Sequence, residues 1–212
     1  MLKLYYSPGT CSMASHITLE ETGAAYEAQP ILFHKGEQHS EAYLKVNPRG
    51  KVPALEFEDG QVLTENTAIL SYVAKKFPSA KLWPCDPILE ARAISAMAWF
   101  STTVHPAFSH FGRPERFTAD AAGAEKVKEQ GKKTFWGCLQ EIDQMLAGTE
   151  WVLGSQFTVC DPFALVFYGW GLRAELPMKN LENYSALKNR LLRRPAVRKI
   201  LEKEQSPILK AA

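Results

Sequence analysis

The chain has 212 residues, 46% of them hydrophobic and 23% charged, enough to bury a substantial core as one large domain or two small ones. A formal net charge of +2 gives no reason to expect a nucleic-acid partner, because phosphate recognition needs a clustered basic surface. Arg190, Arg193, Arg194, Arg198 and Lys199 recur along a predicted helix and read as a solvated face.

No apolar run reaches the ~20 residues that cross a bilayer, so no membrane association is expected. The start, Met1-Leu2-Lys3-Leu4-Tyr5-Tyr6, reads as a strand; a secretion signal needs a longer apolar stretch and a small-residue cleavage site. A cytoplasmic, reducing compartment is therefore expected, with Cys11, Cys85, Cys138 and Cys160 as thiols. Their spacing contains no C-x-x-C pair and no zinc pattern, so neither a disulfide scaffold nor a metal site is expected.

In chain order, residues 2–6 read as a strand stopped by the turn Ser7-Pro8-Gly9. Residues 11–22 follow a helical pattern with Gly23 placed as its C-cap. A second strand is predicted over 26–33, and a short helix over 41–46 ends at Asn47-Pro48. Strands at 52–58 and 61–64 flank Asp59-Gly60, a strong hairpin signal. Residues 66–77 carry Ala68, Ile69, Tyr72, Val73 and Ala74 at helical spacing, and Pro78 ends that helix. The order is β-α-β, a connecting helix, then β-β-α. Three prolines between 78 and 87 resist regular structure and mark a linker. Beyond it strand signals vanish, and helices are predicted over 89–108, 121–146, 161–171 and 185–204. The prediction is an α/β unit to about residue 78 followed by an all-helical bundle.

Three features carry candidate chemistry. Cys11 stands between a turn and a helix start, where unpaired N–H groups and the positive end of the dipole lower a thiol's pKa and favour the nucleophilic thiolate; a buried structural cysteine fits the same position. Val52-Pro53 opens a strand. A cis bond there turns the backbone of Val52 towards an extended peptide ligand, and an ordinary trans proline is the other reading. Residues 63–69, Leu-Thr-Glu-Asn-Thr-Ala-Ile, pass from strand to helix. That junction presents N–H groups to a carboxylate, with Glu65 available to an ammonium group, or is a simple helix cap.

Taken together, Ser7-Pro8-x-x-Cys11-Ser12, then Asn47-Pro48-Arg49-Gly50-Lys51-Val52-Pro53, then Leu63-Thr64-Glu65-Asn66 resemble the cytosolic glutathione transferase superfamily. The stretch Tyr5-Tyr6-Ser7-Pro8-Gly9-Thr10-Cys11-Ser12 is similar in particular to its bacterial beta class, and the likeness extends over nearly the whole chain. It implies a thioredoxin-like glutathione-binding domain at 1–78, a linker at 79–86 and an all-helical domain at 87–212 that supplies the pocket for an acceptor. In the second half, residues 154–161, Gly-Ser-Gln-Phe-Thr-Val-Cys-Asp, look like the superfamily's helix-start motif, with Thr158 as cap and Asp161 returning the hydrogen bond.

The resemblance implies that Cys11 lies beside the glutathione sulfur, that Val52 beside cis-Pro53 pairs with the cysteinyl backbone, and that Glu65 and Asn66 hold the γ-glutamyl end. Lys35 falls near the glycine carboxylate, with Lys51 as a further contact; His105 approaches the thiol from the helical half, and Ser12 is a candidate donor to a thiolate. His105 also fits an ordinary packed helical histidine. The class commonly has an asparagine seven residues before the histidine and an acid two before it; Ala98 and Thr103 stand there instead. Of the aromatics near His105, Trp99, Phe100, Phe108 and Phe111, at least half are expected in the core.

The implied activity is that of a glutathione transferase, a homodimer by the same resemblance, using glutathione as co-substrate on apolar electrophiles or in thiol–disulfide exchange through Cys11. A specialised reductase, dehalogenase or isomerase, and a non-catalytic binding protein, are the alternatives. With Ala14 in place of a second cysteine, an internal disulfide at the motif is unavailable and a dithiol thioredoxin role is disfavoured.

Overall fold

The computed structural model describes residues 1–210; the last two residues of the 87–212 segment lie outside them. Strand β1 (Leu2–Tyr6), helix α1 (Ser12–Glu21) and strand β2 (Tyr26–Pro30) form a β-α-β unit whose strands pair in parallel. Helix α2 (Glu41–Val46) leads to the hairpin β3 (Ala54–Glu56) and β4 (Val62–Thr64), and α3 (Asn66–Lys76) follows. The sheet order is β2-β1-β3-β4, with β1 and β4 both antiparallel to β3. Every named strand precedes residue 65, which is the α/β-then-helical pattern predicted.

Two-residue periodicity sorts β1 between two cores. Leu4 and Tyr6 face one side with Leu19, Leu55, Ile69 and Val73, while Tyr5 faces the other with Ile31, Tyr43, Val52 and Ala54. Strand β2 stops at Pro30, short of the predicted 26–33. Proline is tolerated on this edge strand, and Phe33–Lys35 then closes a 3₁₀ turn.

The helical part contains α4 (Pro87–Trp99), a π-turn at Phe100–Val104, α5 (His105–Gly112), α6 (Ala121–Met145), α7 (Cys160–Arg173), α8 (Glu182–Leu191) and α9 (Pro195–Lys203). Two predicted single helices are thus broken. The helix predicted over 185–204 splits because Pro195 lacks an N–H and starts α9 as its first residue. The helix predicted over 89–108 widens by one residue: the His105 N–H bonds to the Phe100 carbonyl, a five-residue step. Pro106 explains the break, since it has no N–H to offer the carbonyl four residues back.

Helices α1 and α7 are buried along almost their whole length, so Met13, Ala14 and Ile17 of the α/β half share one core with Phe163, Phe167 and Trp170. Part of the terminal basic run belongs to this junction and is no free solvated face. Arg194 makes paired bonds of 2.7 and 2.8 Å to Glu21 while covering the Phe157 ring, and Lys199 bonds Glu20.

Asp161 is fully buried in the first turn of α7. One oxygen accepts from the Thr158 N–H at 2.7 Å, as the capping pattern predicts; the other accepts from the Val152 N–H at 2.8 Å. The second bond is a loop staple that the motif alone did not indicate. The Thr158 hydroxyl reaches the Cys160 N–H at 3.3 Å, and the Asp161 N–H takes the Thr158 carbonyl instead.

Candidate active site

A cleft of about 640 Å³ opens between the sheet's loops and helices α5 and α7, within the roughly 300–1,000 Å³ of small-molecule sites. Cys11, Lys51, Val52, Pro53, Glu65, Asn66 and His105 all border it; residues scattered over the sequence meet at one place.

Cys11 directly precedes α1, as predicted, but burial dominates its chemistry. Loss of water pushes the thiol up to about 12, against the smaller lowering effects of the Cys11 and Ser12 N–H groups and Lys51. The expected lowered pKa is therefore corrected: in the free protein Cys11 is a protonated thiol, donating to the Val52 carbonyl at 3.5 Å. Cys85 is exposed while Cys11, Cys138 and Cys160 are buried. Thiol titration with a bulky disulfide reagent is expected to find one fast group in the native protein and all four after denaturation.

The Cys11 loop is fastened by its own hydroxyls. Ser12 Oγ accepts from the Ser7 N–H at 3.0 Å and lies 2.8 Å from Thr10 Oγ1. It is fully buried and does not line the cleft, so the sequence-based reading of Ser12 as a donor to a ligand thiolate gives way to a role in holding the loop. Asn66 is likewise engaged: its amide donates to the Cys11 carbonyl at 2.9 Å and its oxygen accepts from Ser15 Oγ at 2.7 Å. What Asn66 offers the cleft is the backbone at the start of α3. Glu65, just before it, adopts φ 73° and is exposed, with Arg49 3.6 Å away. A non-glycine residue held there is strained, and such strain concentrates at ligand sites.

Val52-Pro53 is cis. Tyr43 Oη and the Asn47 amide both donate to the Lys51 carbonyl, at 2.6 and 2.7 Å, so the backbone entering Val52 is clamped. Gly50 permits the turn: its φ is +59°, and a Cβ there meets the Gln38 carbonyl at 2.9 Å. Among the described residues the Val52 N–H has no hydrogen-bond partner. Lys35 is exposed on its 3₁₀ turn and is absent from the cleft wall; the wall there is made by Gln38, His39 and Lys51.

His105 sits at the head of α5, turned onto the cleft by the π-turn and packed edge-on against Trp170 at 4.9 Å. Burial first, then Lys51, Arg113 and Arg116, lower it to about 4, so the ring is neutral across the physiological range. Of the four aromatics near it, only Phe108 lines the cleft; Phe100 is fully buried. Ala98 and Thr103 are exposed and off the wall.

Three residues that sequence reasoning did not single out support the site. Glu204, at the end of α9, accepts from the Gly9 N–H at 2.9 Å and pairs with His16 Nδ1 at 2.8 Å, both side chains wholly buried. Arg173 donates to the Gly9 carbonyl at 2.6 Å. The loop before Cys11 is thus held by the helical half on both sides. Gly9 is required there, since φ is +68° and a Cβ falls 1.7 Å from the Arg173 guanidinium. Nothing local marks Glu204 in Lys203-Glu204-Gln205, which reads as the plain end of the helix predicted over 185–204. Glu204→Ala leaves the Gly9 N–H and His16 without their acceptor, and a loss of about 2–4 kcal/mol in denaturant unfolding is expected; a loss below about 0.5 kcal/mol contradicts this role.

Comparison with known proteins gives concordant results. The model of the glutathione S-transferase N-terminal domain matches residues 1–75. Glutathione S-transferase GstA of Escherichia coli O157:H7 is 32% identical over 205 residues, covering 96% of this chain and 98% of that protein. A glutathione transferase homologue from Sulfitobacter, solved with bound glutathione, superposes with a TM-score of 0.91 at 32% identity, covering 96% of this chain and 98% of its own. A bacterial beta class enzyme of Sphingomonas chungbukensis superposes with a TM-score of 0.84 at 35% identity, over 95% and 98% respectively.

Proposed function

Because the chain belongs to the glutathione S-transferase family, we propose that this cleft binds glutathione extended along Val52 and directs its sulfur at an electrophile or a disulfide. The chain is a glutathione transferase; the assignment of roles to its residues is the proposal. The observation that carries it is the convergence on one cleft of Cys11, the unpaired N–H of Val52 and the start of α3 at Glu65-Asn66.

Each contact follows from the chemistry of the tripeptide. The Val52 N–H and carbonyl suit the cysteinyl backbone, in the manner of strand addition. The first N–H groups of α3, at the positive end of its dipole, suit the γ-glutamyl carboxylate, and the Glu65 carboxylate suits its ammonium group. Lys51 is placed for the glycine carboxylate, a role that Lys35, exposed and absent from the cleft wall, fills less well. This puts the ligand sulfur over Cys11, whose S–H then exchanges the Val52 carbonyl for a bound thiolate as acceptor. His105 and Trp170 close the other side and keep water away, with neutral His105 adding no competing charge.

In conjugation the glutathione thiolate attacks, and the protein's donors favour the thiolate over the thiol. In exchange, Cys11 attacks a glutathione mixed disulfide, forming a disulfide with glutathione and releasing the other thiol; a second glutathione then restores Cys11 and leaves as glutathione disulfide. Beta class membership, a cytoplasmic homodimer and a detoxifying role belong to the same proposal, supported by the cysteine-bearing segment at 5–12 and the beta class neighbour. Calorimetric titration with glutathione is expected to give one site per chain, weakened at least about tenfold by Glu65→Ala through loss of a charge-assisted bond. Absence of binding to the unmodified protein overturns the proposal. Sedimentation as a stable monomer overturns the dimer.

A further inference from the structure

The cleft carries more positive charge than glutathione can use. Arg49, Lys51, Arg113, Arg116 and Arg173 line it against a single acid, Glu65. Arg49 lies beside Glu65 and donates to Thr64, and Arg173 is engaged by the Gly9 carbonyl. Lys51 is accounted for by a glycine carboxylate. Arg113 and Arg116 remain. Both follow α5 and line the cleft, Arg116 exposed and Arg113 reaching across to Phe33 of the α/β half, and neither makes an ion pair or a side-chain hydrogen bond among the described residues. Arg113 is half-buried with its guanidinium 5.7 Å from the centre of the Phe33 ring. Glu115 attracts Arg113 without forming an ion pair with it, and a half-buried cation lacking a close partner marks a site for an anion.

The same cleft has an aromatic stretch of wall. Phe108 stacks on Trp170 at 4.3 Å and 20°, and Trp170 meets His105 edge-on. Such a wall suits a flat ring, and the two guanidinium groups suit an anionic substituent on it.

Resting on the glutathione-transferase reading above, we propose that the preferred acceptors are aromatic electrophiles bearing an anionic group such as a carboxylate, held by Arg113 and Arg116. With a chloronitrobenzoate, the glutathione thiolate forms a C–S bond to the carbon bearing chlorine. The electron pair passes into the nitro-substituted ring and returns as the C–Cl bond breaks; chloride leaves, and the thiol's proton goes to buffer. No oxidant or reductant is needed. The bond-making step is the same for a neutral ring, so charge enters through binding and orientation alone.

The test compares 4-chloro-3,5-dinitrobenzoate with neutral 1-chloro-2,4-dinitrobenzene. In Arg113→Gln/Arg116→Gln, the ratio of kcat/KM for the anionic over the neutral acceptor is expected to fall by about 10- to 100-fold, the range for a lost charge-assisted contact. A ratio within twofold of the unmodified protein overturns the inference. So does a tenfold weakening of glutathione binding by the double variant with the ratio unchanged, which assigns the two arginines to glutathione. A second measurement needs no variant: 3,5-dinitrobenzoate is expected to inhibit conjugation of the neutral acceptor at least fivefold more tightly than 1,3-dinitrobenzene, with the gap narrowing as salt screens the cations. Equal inhibition counts against the anionic subsite while leaving the glutathione site intact, and failure of glutathione itself to bind removes the underlying reading instead.

Discussion

Cys11→Ala is expected to lower thiol transfer from a glutathione mixed disulfide by more than about 100-fold, because no other group on the cleft wall supplies a sulfur nucleophile. The same variant is expected to keep conjugation within about tenfold of the unmodified protein, since the attacking sulfur then belongs to glutathione and only one S–H donor is lost. Cys11→Ser separates the two roles further: its hydroxyl restores a donor and part of the conjugation rate, but forms no disulfide. Mass spectrometry after incubation with glutathione disulfide reads the covalent adduct directly, present in the unmodified chain and absent from both variants. Full transfer activity in Cys11→Ala sinks the assignment.

The burial of Cys11 adds a pH signature. A thiol pushed up to about 12 stays protonated through neutrality, so its alkylation in the free protein is expected to rise about tenfold per pH unit and to show no plateau below pH ~10. A plateau near pH 7 means that the helix start outweighs desolvation after all. His105, lowered to about 4, is neutral above roughly pH 6 and contributes no inflection between pH 6 and 8.

How much of this was legible in the sequence depends on whether a residue's role is local. The strand–turn–helix run at 2–21 and the hairpin around Asp59-Gly60 are set by neighbours in the chain, and they lie where the pattern places them. The cleft members Cys11, Val52, Pro53, Glu65 and Asn66 stand at junctions where each alone also fits an ordinary structural role, and it is the order of their segments along the chain, resembling the family's, that groups them. The misses around the site are non-local. Ser12 reads as a free hydroxyl until Ser7 and Thr10 are seen to engage it. Asn66 keeps its place in the site but turns its amide inward to the Cys11 carbonyl, 55 positions away in the chain. Glu204 lies 195 positions from the glycine it holds, and no spacing rule spans that distance. The break at Pro195 was legible, since a proline inside an apolar periodicity ends the helix before it; the periodicity on either side masked it.

Asp161→Ala is expected to be the most destabilising single change considered, at about 3–5 kcal/mol, because it strands two buried N–H groups at about 1–3 kcal/mol each. Both the Thr158 and the Val152 N–H groups depend on its carboxyl oxygens, so the loss goes beyond the about 0.5–2 kcal/mol of a surface cap. For a chain of this size that corresponds to a fall in Tm of roughly 6–20 °C. Asp161→Asn keeps one acceptor oxygen and is expected to lose less. The two variants also separate packing from ionisation. Burial raises the Asp161 carboxyl to about 7, against the pull of the Val152 and Thr158 N–H groups, whereas in the unfolded chain it titrates near the ordinary aspartate value of about 3.9. The folded form therefore holds its proton longer than the unfolded one. The contribution of this group to stability is fully present below the unfolded value and declines as pH rises through about 7. Asparagine does not titrate, so the stability advantage of the unmodified protein over Asp161→Asn is expected to shrink between pH 4 and 7 in denaturant titrations. An advantage that grows over that interval means that the N–H groups outweigh burial and hold the carboxylate ionised.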